Sequence, residues 1–157
     1  MKERFSLDAI TLLKTDHKKV SALLKKVEAL GETAHASRGK LFAQIDAELE
    51  AHAEVEEKIF YPALKAKTKR NDEANDEVLE AYEEHANVKA MLGKLKTLSP
   101  THETYNAKLQ VLSELVKHHV KEEETEMFKQ ARKLLKKPEL DDLGKKMEAA
   151  KKALKRK

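Results

Sequence analysis

The chain of 157 residues contains no cysteine and no tryptophan. Without cysteine it cannot form a disulfide, bind an iron–sulfur cluster through thiolates or build a thiolate zinc site, so its fold does not depend on an oxidising compartment. The sequence also shows no glycine-rich phosphate loop, no Ser/His/Asp or Cys/His constellation and no aromatic platform for stacking bases. These absences argue against the common classes of nucleotide-binding protein and nucleophilic enzyme.

Glycine and proline are also scarce, at four and three residues, while 38% of the chain is charged. This composition favours long amphipathic helices over a sheet. No apolar run approaches the roughly 18 residues of a membrane span, and the first residues lack the apolar region and cleavage site of a signal peptide. We therefore expect one all-helical domain that is cytoplasmic and has no membrane partner.

Positive charge is concentrated at one end of the chain. The formal net charge is +4, but from Lys129 onward there are 12 Lys or Arg against 4 Asp or Glu, so residues 1–128 are net acidic. A basic tail of this kind can contact nucleic acid or anionic lipid. A solvated charged helix is the simpler interpretation, and we expect no nucleic-acid partner.

Capping residues and helix breakers divide the chain into four long helices and a short fifth one. The predicted helices are Ser6 to Leu30, Ser37 to Thr68, Asn71 to Leu98, Ser99 to Lys136, and a last one after Lys137-Pro138 that carries Leu140, Leu143, Met147 and Leu154. Pro62 should kink the second helix or end it early. Short connections predict an antiparallel, up-down-up-down four-helix bundle. We assign residues 1–137 to this bundle and residues 138–157 to a basic amphipathic C-terminal helix.

A histidine interrupts the inward, apolar stripe of each long helix. The four histidines are His17, His52, His85 and His119. The stripe of the second helix reads Ile45, Leu49, His52, Glu56, Ile59 and Ala63. Glu56 and Glu123 each follow a histidine by one turn on the same face, in the pattern H-x-x-x-E. Because the four histidines lie near the midpoints of their helices, we expect them to meet in one layer of the core.

The two halves of the chain repeat each other. TDHKKVSALLKKVEAL, from Thr15, aligns without a gap with EEHANVKAMLGKLKTL, from Glu83, at an offset of 68 residues. At an offset of 67, LEAHAEVEEKIFYP aligns with the segment around His119, and this alignment selects His119 over its neighbour His118 as the inward residue. We therefore expect two similar helical hairpins packed about a pseudo-twofold axis.

Two carboxylates in a buried layer need a cation. An unpaired buried carboxylate loses solvation worth several kcal/mol, and two such groups also repel each other. Four imidazoles and two carboxylates suit a pair of first-row transition metals, with iron or manganese favoured by the carboxylates. A lone histidine on an apolar stripe is more often an ordinary core residue, and a lone H-x-x-x-E is more often a surface pair. Neither alternative explains four histidines at one level and a duplicated motif.

Over roughly residues 10–130 these motifs resemble the hemerythrin-like, or HHE cation-binding, family. In that family a histidine on the first and third helices and H-x-x-x-E on the second and fourth bind a non-haem di-iron centre. The segments EEKIFYP and EEETEMF are similar to the family's usual continuation. The resemblance implies two iron ions with an oxo or hydroxo bridge, and zinc or manganese as substitutes. The implied ligands are His17, His52, Glu56, His85, His119 and Glu123.

One difference from oxygen-carrying hemerythrins bears on function. Those proteins have a second histidine one turn away on the third helix, where this chain has Ala81 and Lys89. We therefore expect each ion to keep a free position, which favours binding, sensing or reaction with dioxygen, peroxide or nitric oxide, including a weak catalase-like activity. The alternative is an iron-sensing or regulatory module in which the metal stabilises the fold and the basic tail contacts a partner. A monomer or weak homodimer is expected in either case.

The other polar residues near these motifs are assigned no metal. Tyr82 is one turn before His85, where it can line the site or ligate, but a core tyrosine hydrogen-bonded elsewhere is favoured. Residues predicted to be solvated are His35, His102 and His118, and those predicted to lie on exposed faces are Glu54, Glu57, Glu122, Glu124 and Glu126.

Overall fold

The computed structural model describes residues 7–70 and 72–155, so the predicted caps Ser6 and Asn71 lie outside the described residues. The helices are α1 (Ala9–Glu28), α2 (His35–Val55), α3 (Tyr61–Lys65), α4 (Glu73–Lys96), α5 (Tyr105–Glu122), α6 (Phe128–Leu134) and α7 (Lys137–Lys155). Two π-helical turns, Glu56–Phe60 and Glu123–Met127, join α2 to α3 and α5 to α6. The chain thus forms a first hairpin (residues 9–65), a second hairpin (residues 73–134) and α7. The predicted all-helical bundle is confirmed.

Two of the predicted helix caps are wrong. Ser37 lies inside α2, which begins at His35 without a side-chain cap. The Ser99 hydroxyl accepts the Thr101 N–H and thereby closes a local turn, so α5 begins only at Tyr105. A serine that can cap a helix can equally hold a turn, and sequence alone does not separate the two cases.

Each π-helical turn moves the buried face of its helix by one residue. The Tyr61 N–H donates to the carbonyl of Glu56, five residues earlier, because a π turn holds one more residue than an α turn. Phe60, Tyr61 and Leu64 are fully buried, whereas the predicted inward residues Ile59 and Ala63 are only half-buried. The predicted inward face is therefore wrong beyond Glu56. Pro62 falls in the first turn of α3, where a missing N–H is tolerated, and the helix continues to Lys65.

The apolar core consists of two clusters on either side of the histidine layer, which we define as His17, His52, His85 and His119. One cluster contains Ile10, Leu13, Phe60, Leu64, Phe128 and Met147. The other contains Leu24, Ile45, Leu92, Leu95 and Leu112. Each histidine of the layer is only 5–6% exposed. A polar layer thus crosses the full width of the bundle between two apolar regions.

The C-terminal helix α7 packs along the outside of the first hairpin. Leu140, Leu143 and Met147 are buried in the same apolar cluster as Ile10 and Phe60. At 19 residues α7 is nearly as long as α1, which has 20. Within the described part of the chain, no helix has both the length and the apolar character required to cross a membrane.

Candidate metal centre

The six residues predicted to hold metal lie together, with Glu56 and Glu123 at the level of the histidine layer. Helices α1, α2, α4 and α5 each contribute one histidine, and Glu56 and Glu123 are the first residues of the two π-helical turns. All six side chains are buried, with at most 6% of any residue exposed. The α-helical period of 3.6 residues places each histidine on the inward face of its helix. The antiparallel packing of the helices brings the four histidines to one level.

The histidines form two pairs, and the carboxylates lie between the pairs. The ring centroids of His17 and His52 are 5.0 Å apart, and those of His85 and His119 are 4.7 Å apart. One Glu56 oxygen, Oε1, is 2.9 Å from His52 Nε2 and 3.2 Å from His85 Nε2. Glu56 therefore contacts a histidine of each pair.

Glu123 spans the same gap with both of its oxygens. Its Oε1 is 3.1 Å from His17 Nε2, and its Oε2 is 3.3 Å from His119 Nε2. Apart from these approaches to one another, five buried atoms of the six residues have no hydrogen-bond partner: His17 Nε2, His52 Nε2, both Glu56 oxygens and Glu123 Oε1. Buried polar atoms without partners are costly, and a set of nitrogens and carboxylate oxygens that converge suits metal ions. The residues present therefore fit a metal pair.

A carboxylate also holds the outer nitrogen, Nδ1, of every histidine in the layer. The four contacts are Asp16 to His52 at 2.9 Å, Glu84 to His119 at 2.8 Å, Glu57 to His85 at 2.9 Å and Glu124 to His17 at 2.6 Å. Such contacts fix the ring orientation and leave Nε2 facing the site. The prediction of Glu57 and Glu124 as exposed faces is wrong, because both are half-buried against a histidine.

Asp16 and Glu84 were not predicted as site residues, although the repeat contains a signal for them. An acidic residue immediately precedes the histidine in both TDH and EEH, and Asp16 aligns with Glu84 at the offset of 68. Only the packed structure shows which histidine each of these acidic residues contacts. Each of these carboxylates points to the histidine on the other helix of its own hairpin, whereas Glu57 and Glu124 reach across to the opposite hairpin.

Comparison with known proteins establishes the family. The model of the family described as hemerythrin HHE cation binding domain matches residues 8–131. This chain belongs to the hemerythrin HHE family. A crystal structure of an HHE cation-binding domain-containing protein from Mycobacterium kansasii is similar, with a TM-score of 0.80 and 26% identity over 94% of this chain and 87% of that one. HHE domains bind metal ions, and the buried His/Glu cluster could hold them here.

A curated relative is also similar over most of the chain. It is named a DNA nickase, from Nostoc sp. (strain PCC 7120), and is 27% identical over 140 residues. These residues are 89% of this chain but 38% of the relative, so the HHE chain spans well under half the length of that protein.

Tyr61 also reaches this HHE site, although the sequence does not predict it there. It is fully buried, and its hydroxyl donates to Glu123 Oε2 at 2.5 Å. The Tyr61 hydroxyl oxygen lies 3.3 Å from His85 Nε2 and 3.4 Å from His119 Nε2. At α-helical spacing, residue 61 would point away from Glu56, and only the π-helical turn brings it onto the inward face.

Tyr82 hydrogen-bonds elsewhere, as the favoured interpretation expected. Its hydroxyl donates to the backbone carbonyl of Glu57 at 3.0 Å. His118 is exposed and lies 3.1 Å from Glu122, and His102 is exposed in the connection before α5. His35 was predicted to be solvated but is half-buried at the start of α2. The half-buried residues also include Glu54 and Glu122, whereas Glu126 is exposed as predicted.

The electrostatics of the HHE site favour protonated His52 and His119 facing an ionised Glu56, because burial alone would raise the pKa of Glu56 but the neighbouring histidines hold it well below its usual value. Burial opposes charge on His52, but Glu56 and Asp16 outweigh it and raise the His52 pKa to about 10. In the same way burial is outweighed by Glu123 at His119, whose pKa rises to about 12. Burial and the neighbouring carboxylates raise the pKa of Tyr61 well above its usual value, so its hydroxyl keeps its proton. Metal ions must therefore displace protons from His52 and His119.

Two small cavities lie against the site. The first, of about 40 Å³, borders all four histidines and is otherwise lined mainly by Val20, Leu49, Val88, Val116 and Val120. The second, of about 20 Å³, lies on the outside of the second hairpin and is lined by the acidic residues Glu77, Glu80, Glu84, Glu122, Glu123 and Glu126. Burial, followed by repulsion from Glu73, raises the pKa of Glu77 to about 7. The site therefore has an apolar side and an acidic side.

Proposed function

We propose that this HHE domain binds two iron ions and uses them to bind, sense or react with dioxygen, peroxide or nitric oxide. One ion would be held by His17 and His52, the other by His85 and His119, with Glu56 and Glu123 bridging the two. The observation that carries the proposal is that each buried carboxylate contacts a histidine of each pair. Hard carboxylates together with imidazoles favour iron, with manganese or zinc as substitutes.

The residues around the pair support small-molecule chemistry. Bound iron would supply the redox chemistry, while the protein fixes the donors and controls access. The outer carboxylates orient the four rings, and Tyr61 holds a proton at its hydroxyl, directed at Glu123. The hydroxyl oxygen is also a further possible metal ligand, because it lies beside His85 and His119.

The apolar cavity supports a ligand of a few atoms. A single water needs about 10–15 Å³ of such space, so a cavity of 40 Å³ suits dioxygen, nitric oxide or peroxide better than larger substrates. Four valines and a leucine make up most of its lining besides the histidines, which favours neutral ligands over charged ones.

Metal content and an optical spectrum test this proposal. We expect close to two irons per chain and absorption in the region of oxo-bridged ferric pairs after iron-replete expression. The iron form should release one dioxygen for every two molecules of peroxide consumed, and nitric oxide should change the spectrum. One tightly held zinc, or no metal at all, would contradict the proposal.

The second candidate is an iron-sensing or regulatory module in which the metal stabilises the fold and the basic tail contacts a partner. The ion pair of Lys151 in α7 with Asp16, which also contacts His52, favours it because it joins the tail to the site. Peroxide turnover by the iron form would separate a reactive centre from a purely regulatory one. The nicking activity in the name of the Nostoc relative is not carried over, because this chain spans 38% of that protein. A cytoplasmic location, a monomer or weak homodimer and the lack of a nucleic-acid partner stay predictions from the sequence.

A further inference from the structure

Helix α7 lies beyond the residues that match the HHE family, yet it sits tightly on the first hairpin. Gly144 makes this close approach possible. A Cβ there would lie 2.0 Å from the carbonyl oxygen of Leu7 and 2.8 Å from the carbonyl carbon of Asp8, and backbone cannot give way as a side chain can. The position of α7 relative to α1 is therefore sterically defined.

Seven residues after Gly144, two helical turns further along α7, Lys151 makes an ion pair with Asp16 of α1. Its side chain is 13% exposed, and that of Asp16 is 9% exposed. A lysine is seldom buried to this degree without a partner, because removing an ammonium group from water costs several kcal/mol. The pair with Asp16 offsets this cost, so both groups are held in place.

Asp16 connects this pair to the metal centre. While Oδ1 contacts Lys151, Oδ2 is 2.9 Å from His52 Nδ1. His52 Nε2 in turn is 2.9 Å from Glu56 Oε1. A line of direct contacts thus runs from α7 through Asp16 and His52 to a bridging carboxylate.

As far as the structure describes the chain, the second histidine pair has no such connection to an additional helix, because the lysine that faces an outer carboxylate there is Lys89 of α4, 2.8 Å from Glu57. Glu84 takes the place of Asp16 and holds His119, but among the described residues its cationic neighbours are His119 and the exposed His118, with no lysine. The corresponding surface is the acidic cavity rather than a helix. The additional helix therefore acts on one histidine pair only.

We propose that Lys151 is a positioning residue for the ion held by His17 and His52, and that docking of α7 and occupancy of that ion stabilise each other. The inference rests on the proposed metal centre. When α7 is displaced, Asp16 loses its counter-charge and can turn to solvent, so His52 loses the acceptor that orients it. Linkage is reciprocal, so an ion that favours the oriented His52 also favours the docked helix.

Iron release to a chelator tests the first part of the proposal. Lys151→Met keeps the length of the side chain and removes its charge, Lys151→Arg keeps the charge, and Lys152→Met is the matched control, because Lys152 is 57% exposed on the same helix. We expect Lys151→Met to release its first ion about 10- to 100-fold faster than wild type, as for other residues that orient a ligand. Lys151→Arg should restore most of the difference, and Lys152→Met should behave as wild type.

Limited proteolysis of α7 tests the reciprocal part. Iron should slow cleavage of α7 in the wild-type chain and protect the Lys151→Met variant much less. If Lys151→Met does not fold, Lys151→Gln removes the same charge, keeps a polar side chain, and leaves the contact of Asp16 with His52 in place.

The outcomes separate the two proposals. Equal rates of iron release from Lys151→Met and Lys152→Met would overturn the inference and leave the metal centre intact. The same holds if iron does not change the rate of α7 cleavage in the wild-type chain. Failure of the wild-type chain to bind iron would overturn the proposed function, and the inference with it.

Discussion

Tyr61 of the first hairpin and Phe128 of the second occupy equivalent positions, 67 residues apart, each directly after a π-helical turn. Each side chain crosses to the opposite hairpin. Tyr61 places its hydroxyl beside His85 and His119, whereas the Phe128 ring stacks on His17 at a centroid distance of 5.9 Å. The backbone thus makes the two halves alike, and one oxygen atom makes them chemically different.

The surroundings of the halves differ as well. Helix α7 covers the first hairpin beside Asp16, while the second hairpin carries an uncovered acidic cavity beside Glu84. A duplicated scaffold can therefore provide two similar histidine pairs, and a few side chains can give each pair its own environment. Variants of the residues that the two halves share, and of those in which they differ, test where the likeness ends.

The largest effect is expected where the two halves share a residue. Glu56→Gln and Glu123→Gln should each weaken binding of both ions, because each carboxylate contacts both histidine pairs. Iron content should fall from near two per chain to below one, and the iron-dependent rise in Tm should largely disappear. Glu54→Gln is the control. A normal two-iron centre in either Glu56→Gln or Glu123→Gln would rule out bridging.

The next effect separates two adjacent histidines of the second hairpin. His119→Ala should lose at least one ion, since His119 is buried in the layer, whereas His118→Ala should retain both, since its side chain is 64% exposed. Metal analysis of the two purified variants measures this difference. Similar iron loss in both would mean that the register of α5 is wrong.

A smaller effect is expected from the carboxylates that hold the outer nitrogens. Glu57→Gln should lower affinity for the ion at His85 and His119, and Glu124→Gln for the ion at His17 and His52, by about 10- to 100-fold each. Competition with a chelator measures both affinities. From the sequence, Glu57 was expected to lie on an exposed face and to have no role in metal binding. Wild-type affinity in Glu57→Gln would support that expectation instead.

Removing the tyrosine hydroxyl should make the two halves more alike. Tyr61→Phe should keep two irons but change the optical spectrum, because its hydroxyl lies beside only one histidine pair. Without metal it should also lose about 1–3 kcal/mol of stability, since a buried Glu123 oxygen loses its donor. Phe128→Tyr is the reciprocal variant, and an unchanged spectrum in Tyr61→Phe would place the hydroxyl away from the ions.

The smallest effect concerns the acidic cavity of the second hairpin. The folded-state pKa of Glu77, about 7, exceeds its ordinary value of 4.5, so its proton favours folding below pH 4.5 and this contribution is lost as pH rises through 7. Glu77→Gln should therefore raise Tm by a few degrees at pH 8 and change it little at pH 4. Melting curves at both pH values, with Glu103→Gln as an exposed control, measure this. A uniform shift at both would exclude titration of Glu77 as the cause.

The sequence predicts the bundle and the six inward residues well because both follow from helical spacing and from a repeat. It fails where spacing changes or where contacts join distant segments. Tyr61 could not be placed because the α-helical period ends at Glu56. Asp16 and Lys151 are 135 residues apart, and no local pattern relates them.

Misassigned caps and acids have a different cause. Ser37 and Ser99 carry genuine capping side chains, but the final position of a helix start depends on how the chain packs. Glu57 and Glu124 lie one position off the predicted stripe, and only the packing of one hairpin on the other shows that they reach a histidine.

The two π-helical turns also bear on how this chain arose. Each turn amounts to one extra residue in an otherwise continuous helix, and removing it would rotate everything downstream by about 100°. Because the extra residue occurs at the same point in both hairpins, a single insertion before the duplication of an ancestral hairpin accounts for both turns, whereas separate origins require the same event twice.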